Sequence, residues 1–204
     1  ALPICNNVIA TKIAKATGGK APDPRILKDK VISYIGFGGS DWVTRFQCDC
    51  AIQALTPMWK VIDNEVFPWS TGIIIDNDKV TRVHEIGMNL AKAAKDIANA
   101  SYKGEEGVCP HCHSRNFYLD RESTHAICCM CGIEGDVKII DGKVRFEFPK
   151  EQLEHAHDTL SGKLIHVEDI KNTVAISMEL KKSYDYKQRL ENYKEFITAT
   201  KPEK

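Results

Sequence analysis

The sequence predicts an α/β layered domain with a parallel sheet, then a small four-cysteine ribbon and a helical C-terminal tail. Three observations carry that fold class. Short runs rich in β-branched and aromatic residues alternate with stretches of helical periodicity. Two Cys-x-x-Cys pairs, Cys109/Cys112 and Cys128/Cys131, stand fifteen residues apart. From Lys150 onward the chain carries ten basic and ten acidic residues with apolar positions scattered among them.

Residues 4 to about 16 place Ile4, Val8, Ile9 and Ile13 at helical spacing, and Gly18-Gly19 ends that helix. Residues 31–37 form a β-branched and aromatic run, the pattern of a buried strand. Asp41 is the expected N-cap of a helix running to about Leu55. Pro57 breaks that helix, because proline lacks the amide N–H and clashes with the preceding turn. Residues 60–67 read as a second strand. Residues 76–101 carry Val80, Val83, Ile86, Leu90, Ala94 and Ile97, an amphipathic helix. Residues 137–140 and 143–148 flank Asp141-Gly142, a strong hairpin signal. A long helix over 174–193 is expected to pack on the body or on another subunit. The expected division is 1–103 for the α/β portion, 104–148 for the ribbon and 149–204 for the helical extension.

Each cysteine pair places two thiolates in one tight turn, and four thiolates complete a tetrahedral shell at ~2.3 Å from zinc. The segment between the pairs is too short for a core of its own, so metal binding must supply much of its folding energy. Two disulfides fit poorly in a chain that also carries Cys5, Cys48, Cys50 and Cys129. Iron accepts the same ligands, but a rubredoxin-type centre has a longer span between its knuckles. Structural zinc is therefore the expected metal and iron the alternative. His111, His113 and Cys129 read as solvent-exposed turn residues. Four thiolates close the shell against a catalytic water, which argues for scaffolding or docking.

The 204 residues, 43% of them hydrophobic, suffice for one ordinary domain plus a smaller module. Charges balance at 28 against 28, and residues 101–148 hold six basic against eight acidic residues. A nucleic-acid-binding ribbon would show a basic surplus, so nucleic acid is not an expected partner. No apolar run is long enough to span a bilayer and no charged-then-apolar leader is evident, so no membrane role is expected. Cysteines free or metal-bound by pattern suit a reducing compartment, and the cytoplasm is the expected location. The opening Ala1-Leu2-Pro3, without Met, suggests a fragment or a processed form.

Open parallel sheets bind ligands outside the carboxyl ends of their strands. The segment Gly36-Phe37-Gly38-Gly39-Ser40-Asp41-Trp42 stands at such a place. Glycines let backbone approach a flat ligand, and Phe37 or Trp42 could stack on a ring. The segment is neither the G-x-G-x-x-G dinucleotide fingerprint nor a P-loop. A tight strand-to-helix turn with a core Trp is the alternative reading.

The stretch Asp23-Pro24-Arg25-Ile26-Leu27-Lys28, the strand running into Gly-Gly-Ser, and Glu85-Ile86-Gly87-Met88-Asn89-Leu90-Ala91 resemble the later half of flavodoxin-like NAD(P)H-dependent FMN reductases. Gly104-Glu105-Glu106-Gly107-Val108-Cys109-Pro110-His111-Cys112-His113, with Cys128 to Gly135 and Asp141-Gly142-Lys143-Val144, resembles a subgroup of that family. That subgroup carries a C-terminal zinc ribbon and is found largely in anaerobic bacteria.

The resemblance implies the C-terminal half of a flavodoxin-like sheet, FMN as cofactor, NAD(P)H as hydride donor, and a homodimer or higher oligomer. It carries Gly36, Gly38, Gly39, Ser40 and Trp42 over as flavin contacts. It assigns no acid–base role, and His84 is expected to be a packed or surface residue. The family begins with a phosphate-binding loop at a helix N-terminus, for which this sequence offers no counterpart. The resemblance therefore implies an N-terminal half supplied by the same polypeptide or by a second chain, or else a loss of flavin binding. The expected function is an NAD(P)H-dependent FMN oxidoreductase, of flavin/quinone or electron-transfer type, whose ribbon aids dimerisation or docking of a redox partner. The alternatives are a non-catalytic zinc-ribbon interaction protein and a rubredoxin-like iron relay.

Overall fold

Two β-branched runs pair as parallel strands, β1 (Val31–Phe37) and β2 (Lys60–Phe67). The structure is a computed structural model describing residues 11, 14–15, 18–20, 23, 25, 28–55 and 57–194. Of the helix expected over 4–16, only Thr11, Ala14 and Lys15 fall among the described residues, and these are helical. Val31 faces Lys60 and Phe37 faces Phe67, with one register shift between Ile32 and Ser33. The chain divides into two compact units, residues 1–164 and 165–204.

Helix α1 (Phe46–Leu55) links the two strands and buries Ala51, Ala54 and Leu55. It starts five residues later than its expected N-cap. Trp42 N donates to Ser40 Oγ at 3.2 Å and Val43 N to Asp41 O at 2.8 Å, so Asp41 belongs to a turn ahead of the helix. At its other end Met58 takes a left-handed conformation, φ 58°, while Met58 N and Trp59 N donate to Leu55 O and Ala54 O.

Helix α2 (Asn77–Lys95) follows a 3-10 turn, Ile73–Ile75. Asp76 caps it by accepting from Lys79 N at 3.2 Å. The helix stops at Lys95, short of the expected Ser101, because the Asp96 carboxylate turns to Asn99 Nδ2 at 2.9 Å. Arg82 ties α2 to β2. Its Nη2 lies 2.8 and 2.9 Å from the two Asp63 oxygens, and its Nε lies 3.1 Å from Glu65.

The second sheet is antiparallel, in the order β3 (Phe117–Leu119), β4 (His125–Cys128), β5 (Glu134–Ile140), β6 (Lys143–Glu147). The β5–β6 turn is the expected Asp141-Gly142 hairpin, both residues at positive φ. Strands β3 and β4, three and four residues long, are too short to display a period. One apolar cluster runs from Ala51 and Leu55 of α1 through Cys109, Ala126, Cys128, Met130, Cys131, Ile133 and Phe146 to Ala156.

A 3-10 segment, Lys150–Glu154, precedes α3 (Leu160–Lys182) and α4 (Tyr184–Lys194). The single helix expected over 174–193 is broken at Ser183. Its Oγ donates to Leu180 O and accepts from Tyr186 N, ending one helix and capping the next. No described helix is long and apolar enough to cross a membrane.

Candidate functional site

The four cysteines of the paired motifs converge. Their sulfurs all lie within 4.8 Å of one another, with Cys109 to Cys131 at 3.9 Å and Cys112 to Cys128 at 3.5 Å. A tetrahedron of thiolates ~2.3 Å from zinc has edges of roughly 3.8 Å, so the donor set fits such an ion. Bonded disulfide sulfurs stand about 2.05 Å apart, and all four thiols are free. Cys109, Cys128 and Cys131 are buried and Cys112 half-buried.

Proton chemistry in the cluster points the same way. Hydrogen bonds from Cys109, Cys112 and Cys131 hold the Cys128 thiol well below its ordinary range. Contacts with Cys109, Cys128 and Cys131 push the Cys112 thiol far above it. Cys109 is likewise lowered by its hydrogen bond with Cys112 and Cys131 is raised by its hydrogen bond with Cys109, so the cluster favours two thiolates and opposes the other two. A divalent cation at the centre removes that opposition.

The two knuckles share a backbone. Cys109 O accepts from His113 N and Cys128 O from Gly132 N, both at 2.9 Å. The residue after each second cysteine is left-handed, His113 at φ 60° and Gly132 at φ 77°. His111 and His113 are not the free turn residues that the spacing suggests. His111 Nε2 lies 2.8 Å from Asp158, while His113 Nδ1 lies 2.7 Å from Glu106 and its ring stacks on Tyr102 at 4.0 Å. Burial, with the Asp63 carboxylate adding, pushes the Tyr102 phenol up to about 12, so it stays protonated. Cys129 is exposed, as expected.

At the carboxyl ends of the parallel strands, the loops after β1 and β2 are fastened together. Gly38 N donates to Phe67 O, and Gly38 O accepts from both Ser70 N and Ser70 Oγ, all at 3.0–3.1 Å. Phe37 and Phe67 stack with centroids 6.0 Å apart. The candidate ring contacts take different places here. Gly36 is buried against the Phe46 ring, where a Cβ would overlap it. A Cβ on Gly38 would overlap Val43, whereas Gly39 has open space around it. Ser40 is half-buried, and Trp42 is 89% exposed, so it is no core residue. Trp69, 64% exposed on the second loop, carries no sequence motif and escapes sequence reasoning. His84 lies exposed on α2.

No family model matches the chain. Over 97% of its length the chain matches a solved structure of a flavone reductase, with 60% sequence identity and a TM-score of 0.87, covering 68% of that protein. In an alignment of 199 positions that covers 92% of the chain, it is 27% identical to Flavone synthase cfoJ of Aspergillus candidus. The chain spans about three fifths of that synthase, 61% of its length.

Proposed function

The chain belongs to the flavone reductase family, and from that premise we propose that it forms part of an oxidoreductase acting on flat, conjugated aromatic ketones of the flavone type. The hydride carrier we assign is FMN, replenished by NAD(P)H, as the resemblance to flavodoxin-like FMN reductases implies. The observation that carries the reading is the ledge at the strand ends, where Gly38 binds both Phe67 and Ser70 and joins two loops. Open α/β sheets hold ligands at such edges. Bound FMN would supply hydride transfer to the conjugated double bond of the substrate. The chain's own residues would position the ring. The open backbone at Gly39 admits close approach, the Ser40 hydroxyl stands beside it, and Trp42 offers an exposed aromatic face. Gly36 lets the Phe46 ring pack close under the backbone, where a Cβ would overlap it.

Cys109, Cys112, Cys128 and Cys131 would hold one zinc ion as a structural centre. With four thiolates its shell is closed, so it supports the ribbon and takes no part in the redox step. The same reading includes a homodimer, a cytoplasmic setting that keeps the thiols reduced, and a phosphate-binding half supplied by the same polypeptide or a second chain.

The test is the absorption spectrum and metal content of the purified protein, followed by NAD(P)H oxidation with and without flavone. The expected result is the yellow absorption of oxidised flavin, one zinc per chain and flavone-dependent oxidation. A colourless zinc protein inert toward flavone would sink the oxidoreductase reading and leave an interaction protein. A red protein holding iron would favour the electron relay.

A further inference from the structure

Trp69 stands in a place that the fold alone does not account for. In a regular parallel ladder the hydrogen bonds are evenly spaced, and after Gly38 N has bonded to Phe67 O the next donor to Gly38 O is residue 69. Here Ser70 N makes that bond at 3.0 Å, and Ser70 Oγ adds a second at 3.1 Å. The loop that leaves the second strand after Phe67 therefore carries one residue more than a continued ladder would. Trp69 lies in that loop with φ 52°, a left-handed conformation that glycine adopts without penalty and a bulky residue does not. Burial of the ring does not offset that strain, because Trp69 is 64% exposed. The first strand ends in a further exposed ring, Phe37 at 57%, which stacks on Phe67.

A strained residue held in place by the Ser70–Gly38 hydrogen bonds beside it, keeping a large ring in solvent at the sheet edge proposed as the site, points to recognition. We infer that Trp69 is the aromatic wall of this site, a positioning residue on whose face a flat, fused aromatic ring stacks. The inference rests on the oxidoreductase reading for its site and goes beyond it in naming the wall and how it is built. Both the flavin ring and a flavone have the required chemistry.

The experiment compares wild type, Trp69→Gly and Trp69→Phe by thermal unfolding, by sedimentation, and by titration with FMN and separately with flavone. Glycine suits φ 52°, so Trp69→Gly is expected to melt at the wild-type temperature or above it. It should bind one of the two probes about tenfold more weakly or worse, the scale of a lost aromatic stack, and Trp69→Phe should restore most of that affinity. Loss confined to FMN assigns the wall to the cofactor, and loss confined to flavone assigns it to the substrate. A lower melting temperature in Trp69→Gly would make the ring structural, and a changed sedimenting mass would place it in an interface. Either result overturns the inference, as does unchanged affinity for both probes. If wild type binds neither probe, the oxidoreductase reading fails along with it. If wild type binds and the variants match it, the wall alone fails.

Discussion

His113 holds a backbone conformation that the second knuckle gives to glycine, and its side chain accounts for why it stays there. A left-handed non-glycine residue costs about 1–2 kcal/mol. Against this, the imidazole stacks on Tyr102 at 4.0 Å and 8° and bonds Glu106 at 2.7 Å, contacts together worth a similar amount. His113→Ala keeps the strain and loses the contacts, so it should lower stability by about 1–2 kcal/mol. His113→Gly loses the contacts but also the strain, and should exceed the alanine variant by about 1 kcal/mol. Urea unfolding of the metal-loaded protein measures both, and equal losses would show that the backbone is unstrained. The cysteines were legible because thiolate spacing is itself the chemistry. The role of His113 was not, since the knuckle imposes the conformation while the sequence shows only a histidine where a glycine would have been diagnostic. Trp69 is hidden for the same reason, because Pro68-Trp69-Ser70 reads as an ordinary loop until the ladder shows the extra residue.

Among the elements, β2 and α2 are held by an ion pair whose acid is fully buried. Asp63 has no exposed surface and sits between Ile62 and Asn64 in a strand recognised by its β-branched neighbours. Its partner lies nineteen residues on, at Arg82 of α2, which also binds Glu65. Removing one member of a buried pair leaves an uncompensated charge, at a cost of about 3–5 kcal/mol. Arg82→Met should therefore lose about that much in chemical denaturation. Adding Asp63→Asn to it should recover a large part, since both charges are then gone. A double variant no better than Arg82→Met would mean that Arg82 acts through packing or Glu65 alone. Both elements are legible in the sequence, β2 as the run over 60–67 and α2 from the helical period of Val80, Val83, Ile86 and Leu90. What these patterns could not show was the link between the two elements, because no periodicity records which carboxylate a distant guanidinium will meet. The helix ends short of the apolar period for a local reason, as Asp96 closes on Asn99 while the period runs on to Ile97.

Across the molecule, the ribbon and the α/β portion share one apolar core. Ala51 and Leu55 of α1 pack in the same cluster as Cys109, Cys128, Cys131 and Phe146. The sequence shows the parallel sheet and the cysteine ribbon with its hairpin as separate modules, because patterning reports which face of a helix is apolar and not what covers it. Continuity of the core has a thermodynamic consequence. Apparent zinc binding in small structural sites is worth about 10–16 kcal/mol, comparable to the ~5–15 kcal/mol total stability of a typical domain. If the core is continuous, removing the metal withdraws that support from the strands and helices as well as from the ribbon. Trp59 lines a cavity with Cys112, His113 and Met130 of the ribbon, whereas Trp42 and Trp69 stand exposed on the strand-end loops, so in a Trp59→Phe background tryptophan fluorescence reports the α/β portion. Cobalt(II) in the four-thiolate site reports the ribbon through its thiolate absorption. In urea the two signals should change at one midpoint for the metal-loaded protein. Chelation, or Cys131→Ser, should move the tryptophan transition to much lower urea, or abolish it. A tryptophan midpoint unaffected by either treatment would show that α1 and the ribbon touch without sharing their stability, and that the metal serves the ribbon alone.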